Sequence, residues 1–191
     1  MKNDKTKRLV TIAMFTAIVI VLQLIGSVIR FGPFSVSLTL VPIVVGAALF
    51  GPWAGAWLGL VFGAVVLISG DAAAFLAVNV LGTLLTVLIK GSSAGLCAGL
   101  VYRALEEKNT TLATVLAGLT CPVVNTGLFL LGCVVFFLPT LTSWGVAAGY
   151  QNVGLYMLFG LVGANFLFEL LVNMILSPVI LRLIKYGQNQ G

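Results

Sequence analysis

Three polar side chains recur at four-residue intervals inside a long apolar run near the end of the chain: Asn165, Glu169 and Asn173. On an α-helix this spacing stacks them on one face. A carboxylate at hydrocarbon depth costs several kcal/mol unless it is paired, hydrated or bonded to a ligand, so Glu169 marks a site by default. Lys90, in another apolar run, is the deep basic counterpart, and Asn125, in a third, adds an amide. Together an ammonium, a carboxylate and amides can recognise carboxylate, hydroxyl and amide groups of a small solute through neutral and charge-assisted hydrogen bonds.

The same inventory argues against catalysis. The chain has no histidine, which excludes His-based triads, zinc-dependent intramembrane proteolysis and most imidazole metal sites. Five acidic residues are too few and too scattered for a carboxylate-held metal cluster, and Glu169 with Lys90 alone lacks a nucleophile–base pair. Cys97, Cys121 and Cys133 stand singly in apolar runs with no CxxC spacing, so they read as small reduced core residues. The expectation is a non-enzymatic protein with no metal and no cofactor. Other polar and aromatic positions have structural readings of their own. The face of Asn165, Glu169 and Asn173 could also serve interhelical bonding, and Lys90 could snorkel to an interface. Trp53 and Trp57 read as interfacial anchors, Asp71 as a turn or cap residue, and Trp144 with Tyr150 as either an aromatic belt or a lid.

The elements that must carry these groups are set by composition. Of the 191 residues 60% are hydrophobic and only 8% charged, with a mean hydropathy of +1.17, against roughly 25% charged residues in a soluble domain. The expected class is an all-α integral membrane protein built as one membrane domain over 1–191. The net charge of +5 sits mostly at helix ends and never forms an aromatic-interleaved patch, so nucleic acid is not an expected partner. The basic amino terminus followed by an apolar stretch resembles a signal peptide. Its apolar run is too long and lacks a small-x-small cleavage site, so it reads as a retained helix.

At about 20 apolar residues per crossing, the chain divides into six spans at 8–29, 37–50, 53–69, 87–107, 112–138 and 153–185. Gly51 and Pro52 turn the second span into the third. The stretch 74–106 is too long for one perpendicular helix. Counting back from Arg103, Glu106, Glu107 and Lys108 at about 1.5 Å per residue uses up a roughly 30 Å core near 83–89. That leaves 75–85 for a re-entrant or capping loop shielded by protein and sets Lys90 in the outer part of the fourth helix. By the same count Glu169 lies roughly 20 Å from Arg182, in the outer half of the bilayer.

Lys2, Lys5, Lys7, Arg8, Arg103, Lys108, Arg182 and Lys185 fall on one face under this threading, and Arg30 alone on the other. The positive-inside rule then makes both termini cytoplasmic in a multi-pass plasma-membrane protein. The opposite face carries loops 30–36, 70–86 and 139–152, with Phe31, Phe34, Asn79, Trp144, Tyr150 and Asn152. A pocket under these loops is placed to catch a solute from outside, with Asn79, Lys90, Asn125, Trp144, Asn165 and Glu169 as the expected contacts.

Gly51, Gly55, Gly59 and Gly63 stand at every fourth position, and Gly91, Gly95 and Gly99 repeat the device. Each interior glycine costs a helix roughly 1 kcal/mol in water, but in a membrane such a ladder is a groove that another helix can approach closely. Ala13 and Ala17 make a smaller version of the same surface.

Those motifs carry a resemblance. The run Ala13-Met14-Phe15-Thr16-Ala17, the Val41-Pro42 segment leading through Phe50-Gly51-Pro52-Trp53-Ala54-Gly55 to Gly59, and six spans in a chain of this size are similar to the substrate-binding S component of energy-coupling factor vitamin transporters. The run Cys121-Pro122-Val123-Val124-Asn125-Thr126 and the stretch 165–178 look most like the subgroup that includes pantothenate carriers. The resemblance implies high-affinity binding of a vitamin or precursor near the outer face. It implies as partners a transmembrane scaffold subunit and two ABC-type ATPases, consistent with the lack of a GxxxxGK[ST] phosphate loop here. It also implies release of cargo by toppling of the S component in a bacterial membrane, with Ala13 and Ala17 matching the AxxxA motif that docks helix one on the scaffold. Pantothenate is the expected cargo because Lys90, with Arg30 as a second cation, suits its carboxylate. Glu169 could neutralise Lys90, which keeps riboflavin, folate and pyridoxine-like compounds open. A stand-alone secondary carrier is a further alternative, although the chain shows no clear internal repeat.

Overall fold

A computed structural model describes residues 2–28, 30–31, 34–35 and 38–188. Helix α1 spans Lys2–Val28 and is followed by a two-residue ladder, β1 Arg30–Phe31 and β2 Phe34–Ser35, paired antiparallel with Arg30 opposite Ser35 and Phe31 opposite Phe34. Then come α2 Leu40–Phe50, α3 Pro52–Ile68, α4 Ala73–Leu76, α5 Val80–Leu105, α6 Thr110–Phe136, α7 Leu138–Ala147 and α8 Val153–Leu155. A π-helical stretch, Tyr156–Gly163, leads directly into α9, Ala164–Gln188. The architecture is all-helical apart from that ladder. Four helices, Lys5–Val28, Val80–Leu105, Thr110–Phe136 and Asn165–Tyr186, are long and apolar enough to cross a membrane, and Leu40–Phe50, Pro52–Ile68 and Val153–Gly163 are shorter apolar helices.

Local signals explain the boundaries. Gly51, at φ 91°, takes a backbone conformation open chiefly to glycine, and Pro52 starts α3 where its missing N–H costs nothing. Three helices open on an asparagine cap. The side chain of Asn79 accepts from the Gly82 N–H at 2.9 Å, that of Asn109 from Leu112 at 3.0 Å, and that of Asn152 from Gly154 at 2.7 Å. The Asn79 cap corrects one expectation. Helix α5 begins at Val80 rather than near 87, so the stretch 70–86, expected as a re-entrant or capping loop, holds α4 and the first turns of α5. At about 1.5 Å per residue its 26 residues span about 39 Å, a length that tilt accommodates and that counting a perpendicular helix misses. The expected loop 139–152 is likewise mostly α7.

The glycine ladders meet each other. Helix α3 lies against α5 so closely that a methyl group added at Gly59 would run into the Gly91 backbone, and one at Gly55 into that of Gly95. At the two ends of the seam, a methyl at Gly63 would come 2.8 Å from the Val87 carbonyl and one at Gly99 2.6 Å from the Pro52 Cα. Around this seam an apolar cluster includes Leu40, Ile43, Val44, Leu58, Phe62 and Tyr102, while a second gathers Phe75, Cys133, Phe137, Leu141, Met157 and Leu161. The three cysteines are free thiols, with Cys121 and Cys133 fully buried. Among the side-chain contacts that attach helix α1, Arg8 Nη2 donates to the Phe50 carbonyl at 2.8 Å and Trp57 Nε1 to Thr16 Oγ1 at 3.2 Å. Its other face is bare, with Ala13 and Ala17 exposed beside Leu9, Met14 and Val21.

Candidate functional site

A cavity of about 750 Å³, counting its open mouth, lies between α3, α5, α6 and α9. Lys90 and Thr86 reach it from α5, Asn125 from α6, and Asn165 with Glu169 from the start of α9. Four of the six side chains expected to form a solute site thus share one space. The other two do not line it. Asn79 spends its carbonyl oxygen capping α5, and Trp144 stands behind the wall, its ring edge-on to Phe75 with centroids 5.7 Å apart. Phe75 faces the cavity together with Phe62, Phe129 and Phe137, and its ring lies edge-on to Phe129 at 5.5 Å and to Phe137 at 5.1 Å. The side chains of Arg30, Phe31 and Phe34 lie outside the described residues.

The polar groups are unevenly satisfied. Glu169 is only 2% exposed. Its Oε1 accepts from Asn165 Nδ2 at 3.1 Å, and its backbone carbonyl accepts from Asn173 Nδ2 at 2.8 Å. Its other carboxylate oxygen, Oε2, has no hydrogen-bond partner, and neither do Thr86 Oγ1 and Asn125 Oδ1. A buried polar atom left unpaired costs about 1–3 kcal/mol, so three such atoms around one cavity are groups awaiting donors. Asn173 falls outside the cavity lining and extends the stack downward, where Ser177 Oγ donates to its carbonyl at 2.7 Å.

Lys90 Nζ sits 5.0 Å from the centroid of Phe129 and 5.8 Å from that of Phe62. Two ring faces steady the cation without neutralising it. Among the described residues no ion pair within 4.0 Å joins Lys90 to Glu169, so both charged heads remain available within the same enclosure.

Two lining residues carried no sequence signal of their role. Gln23, on α1, is 1% exposed. Its Nε2 donates to Asp71 Oδ2 at 2.9 Å, while its Oε1 accepts from Thr39 Oγ1 at 3.0 Å. Asp71 Oδ2 also accepts from Ser69 Oγ at 3.1 Å. Both Gln23 and Asp71 line the cavity, so the residue read as a turn former stands in a turn and also brings a second carboxylate to the cavity. A Gln–Asp contact across 48 positions leaves no periodicity to detect, and an aspartate after a glycine looks like any other turn.

Comparison with known proteins points the same way as the geometry. The family model described as ECF transporter, substrate-specific component, matches residues 7–181. The chain is also 29% identical to the pantothenic acid transporter PanT of Lactococcus lactis subsp. cremoris strain MG1363, in an alignment of 213 positions that covers all of both chains.

Proposed function

Because the chain belongs to the substrate-specific component family of ECF transporters, we propose that it is the solute-binding subunit of an ATP-driven vitamin importer and that its cargo is pantothenate. The observation that carries the proposal is the cavity in which Lys90 is steadied by Phe62 and Phe129 rather than paired with a carboxylate. An ammonium in that state has its charge free for an incoming carboxylate. Asn125, Thr86 and Glu169 supply partners for hydroxyl and amide groups, with Asn165 bonded to Glu169. Pantothenate brings all three group types, and whole-length similarity to a pantothenic acid transporter supports the choice.

In this reading α1, α2, α3, α5, α6 and the continuous run from α8 through α9 are six crossings of one membrane domain, with both termini in the cytoplasm under the positive-inside rule. The cavity opens outward, and the connections around 70–86 and 139–152 cap it. The protein performs no chemistry. A transmembrane scaffold subunit and two ABC-type ATPases deliver the power, and the loaded subunit topples to release its cargo inward. The lateral surface suits such a rotation, because α1 presents alanines and aliphatic side chains where a lysine or glutamate would cost a few kcal/mol to turn through hydrocarbon.

The test is direct. Protein purified in detergent without added vitamin, then unfolded, should release pantothenate identifiable by mass spectrometry, and the emptied protein should bind added pantothenate in calorimetric titration. Retention of riboflavin, folate or a pyridoxine-like compound would reassign the cargo within the family. Uptake into cells that persists after ATP depletion would instead favour a stand-alone carrier.

A further inference from the structure

We infer that Glu169 and Asn165 act as one selecting unit: Asn165 orients the carboxylate, and Glu169 Oε2 accepts a hydrogen bond from the solute. The cargo must then be an acid that also carries hydroxyl or amide N–H donors. This deepens the proposed vitamin-binding role and rests on it.

The cavity's own hydrogen-bonding capacity leads there. Among the described residues the lining atoms Asn125 Oδ1 and Glu169 Oε2 lack partners, and both are able only to accept when the glutamate is ionised. The lining also holds one ammonium against two carboxylates, those of Glu169 and Asp71. A solute with nothing but a carboxylate gains at Lys90 and is repelled by Glu169. One that adds donors gains at both places, because each donor meets a buried acceptor that water reaches poorly.

Asn165 has a different task from that of a contact residue. Its Nδ2 is committed to Glu169 Oε1 at 3.1 Å, and Asn173 Nδ2 holds the Glu169 carbonyl at 2.8 Å. With one oxygen engaged from within the helix, the carboxylate cannot swing freely, and Oε2 keeps a fixed aim. Asn165 is therefore a positioning residue that works through Glu169.

The test uses the full-length protein in detergent with pantothenate and with the same molecule whose hydroxyls are replaced by hydrogen. E169Q preserves volume and keeps an oxygen for Asn165, but puts an N–H donor where Oε2 was. Wild type should bind the deoxy compound on the order of tenfold to a hundredfold more weakly than pantothenate. E169Q should bind pantothenate about that much more weakly and distinguish the two compounds little. N165A should shrink the same discrimination, and the double variant should lose little more than E169Q alone, as coupled residues do. E169Q with native affinity and undiminished discrimination would overturn the inference, as would independent, multiplying losses for Asn165.

If wild type ignores pantothenate, it is the vitamin assignment that fails, and melting of the empty protein then judges Glu169. A carboxylate oxygen that awaits a donor is a burden to the empty fold, so E169Q should melt at or above the wild-type temperature. A clearly lower melting temperature would make Glu169 a structural tie and sink the inference.

Discussion

Gln23 Nε2 donates to Asp71 Oδ2 across 2.9 Å, and by that contact the helix carrying the exposed Ala13 and Ala17 is joined to the turn that borders the cavity. Gln23 also accepts from Thr39, so one amide bridges α1, the start of α2 and the segment after α3. Helix α1 and the cavity wall are therefore joined by a hydrogen-bonded bridge.

Replacing Gln23 with leucine keeps the bulk but leaves the Thr39 hydroxyl and Asp71 short of a partner in a buried setting. A loss of about 1–3 kcal/mol in stability is expected, visible as a lower melting temperature in detergent. Bound solute should restore only part of it. A Q23L protein that melts like wild type would mean that the bridge is dispensable.

Lys90→Ala should cost a carboxylate solute on the order of a hundredfold in affinity, since it removes the cation that the two rings hold ready. Against a neutral analogue in which the carboxylate is reduced to an alcohol, the same variant should lose much less. Equal binding of the acid by wild type and K90A, measured by calorimetry, would remove the reason to expect an anion.

Ala13→Trp or Ala17→Trp should abolish uptake into cells while leaving solute affinity of the purified protein unchanged. Both alanines are exposed on α1 and neither lines the cavity. Parallel loss of binding and uptake would identify the pair as internal packing.

Gly59→Leu should prevent assembly of the bundle, because a side chain there meets the Gly91 backbone, which has nowhere to move. Gly127→Ala is the matched control. A methyl at Gly127 meets nothing within 4 Å, and alanine favours a helix interior by roughly 1 kcal/mol. Yield and monodispersity after purification separate the two: little or no folded G59L, and G127A at wild-type level or better.

The charged members of the site were legible in the chain because a carboxylate or ammonium in an apolar run has no cheap reason to be there. Glu169 and Lys90 needed no more than that, an amide within an apolar run marked Asn125, and helical spacing added Asn165. Asn79 caps α5 and stands apart from the cavity lining; in sequence, an asparagine between an apolar loop and an apolar helix looks the same whether it caps or contacts a ligand. Only the geometry at Gly82 distinguishes them. Gln23 and Asp71 were invisible for the opposite reason. Their significance lies in a pairing made by the tertiary fold, and neither is unusual beside its neighbours in sequence. The facing of one glycine ladder by the other followed the same division: spacing announced both grooves, but only packing showed that each is the other's partner.

That seam has a consequence for how the cavity can change volume. Where α3 and α5 touch through their backbones there is no layer of side chains to compress, and the two helices cannot draw nearer. The wall they form, bearing Phe62 on one helix and Lys90 on the other, is in effect an anvil. Any squeezing or widening around a guest must come from the opposite sides, where α1 is held by a few polar contacts and α9 is preceded by a π-helical stretch. The backbone that carries Lys90 thus belongs to the incompressible wall.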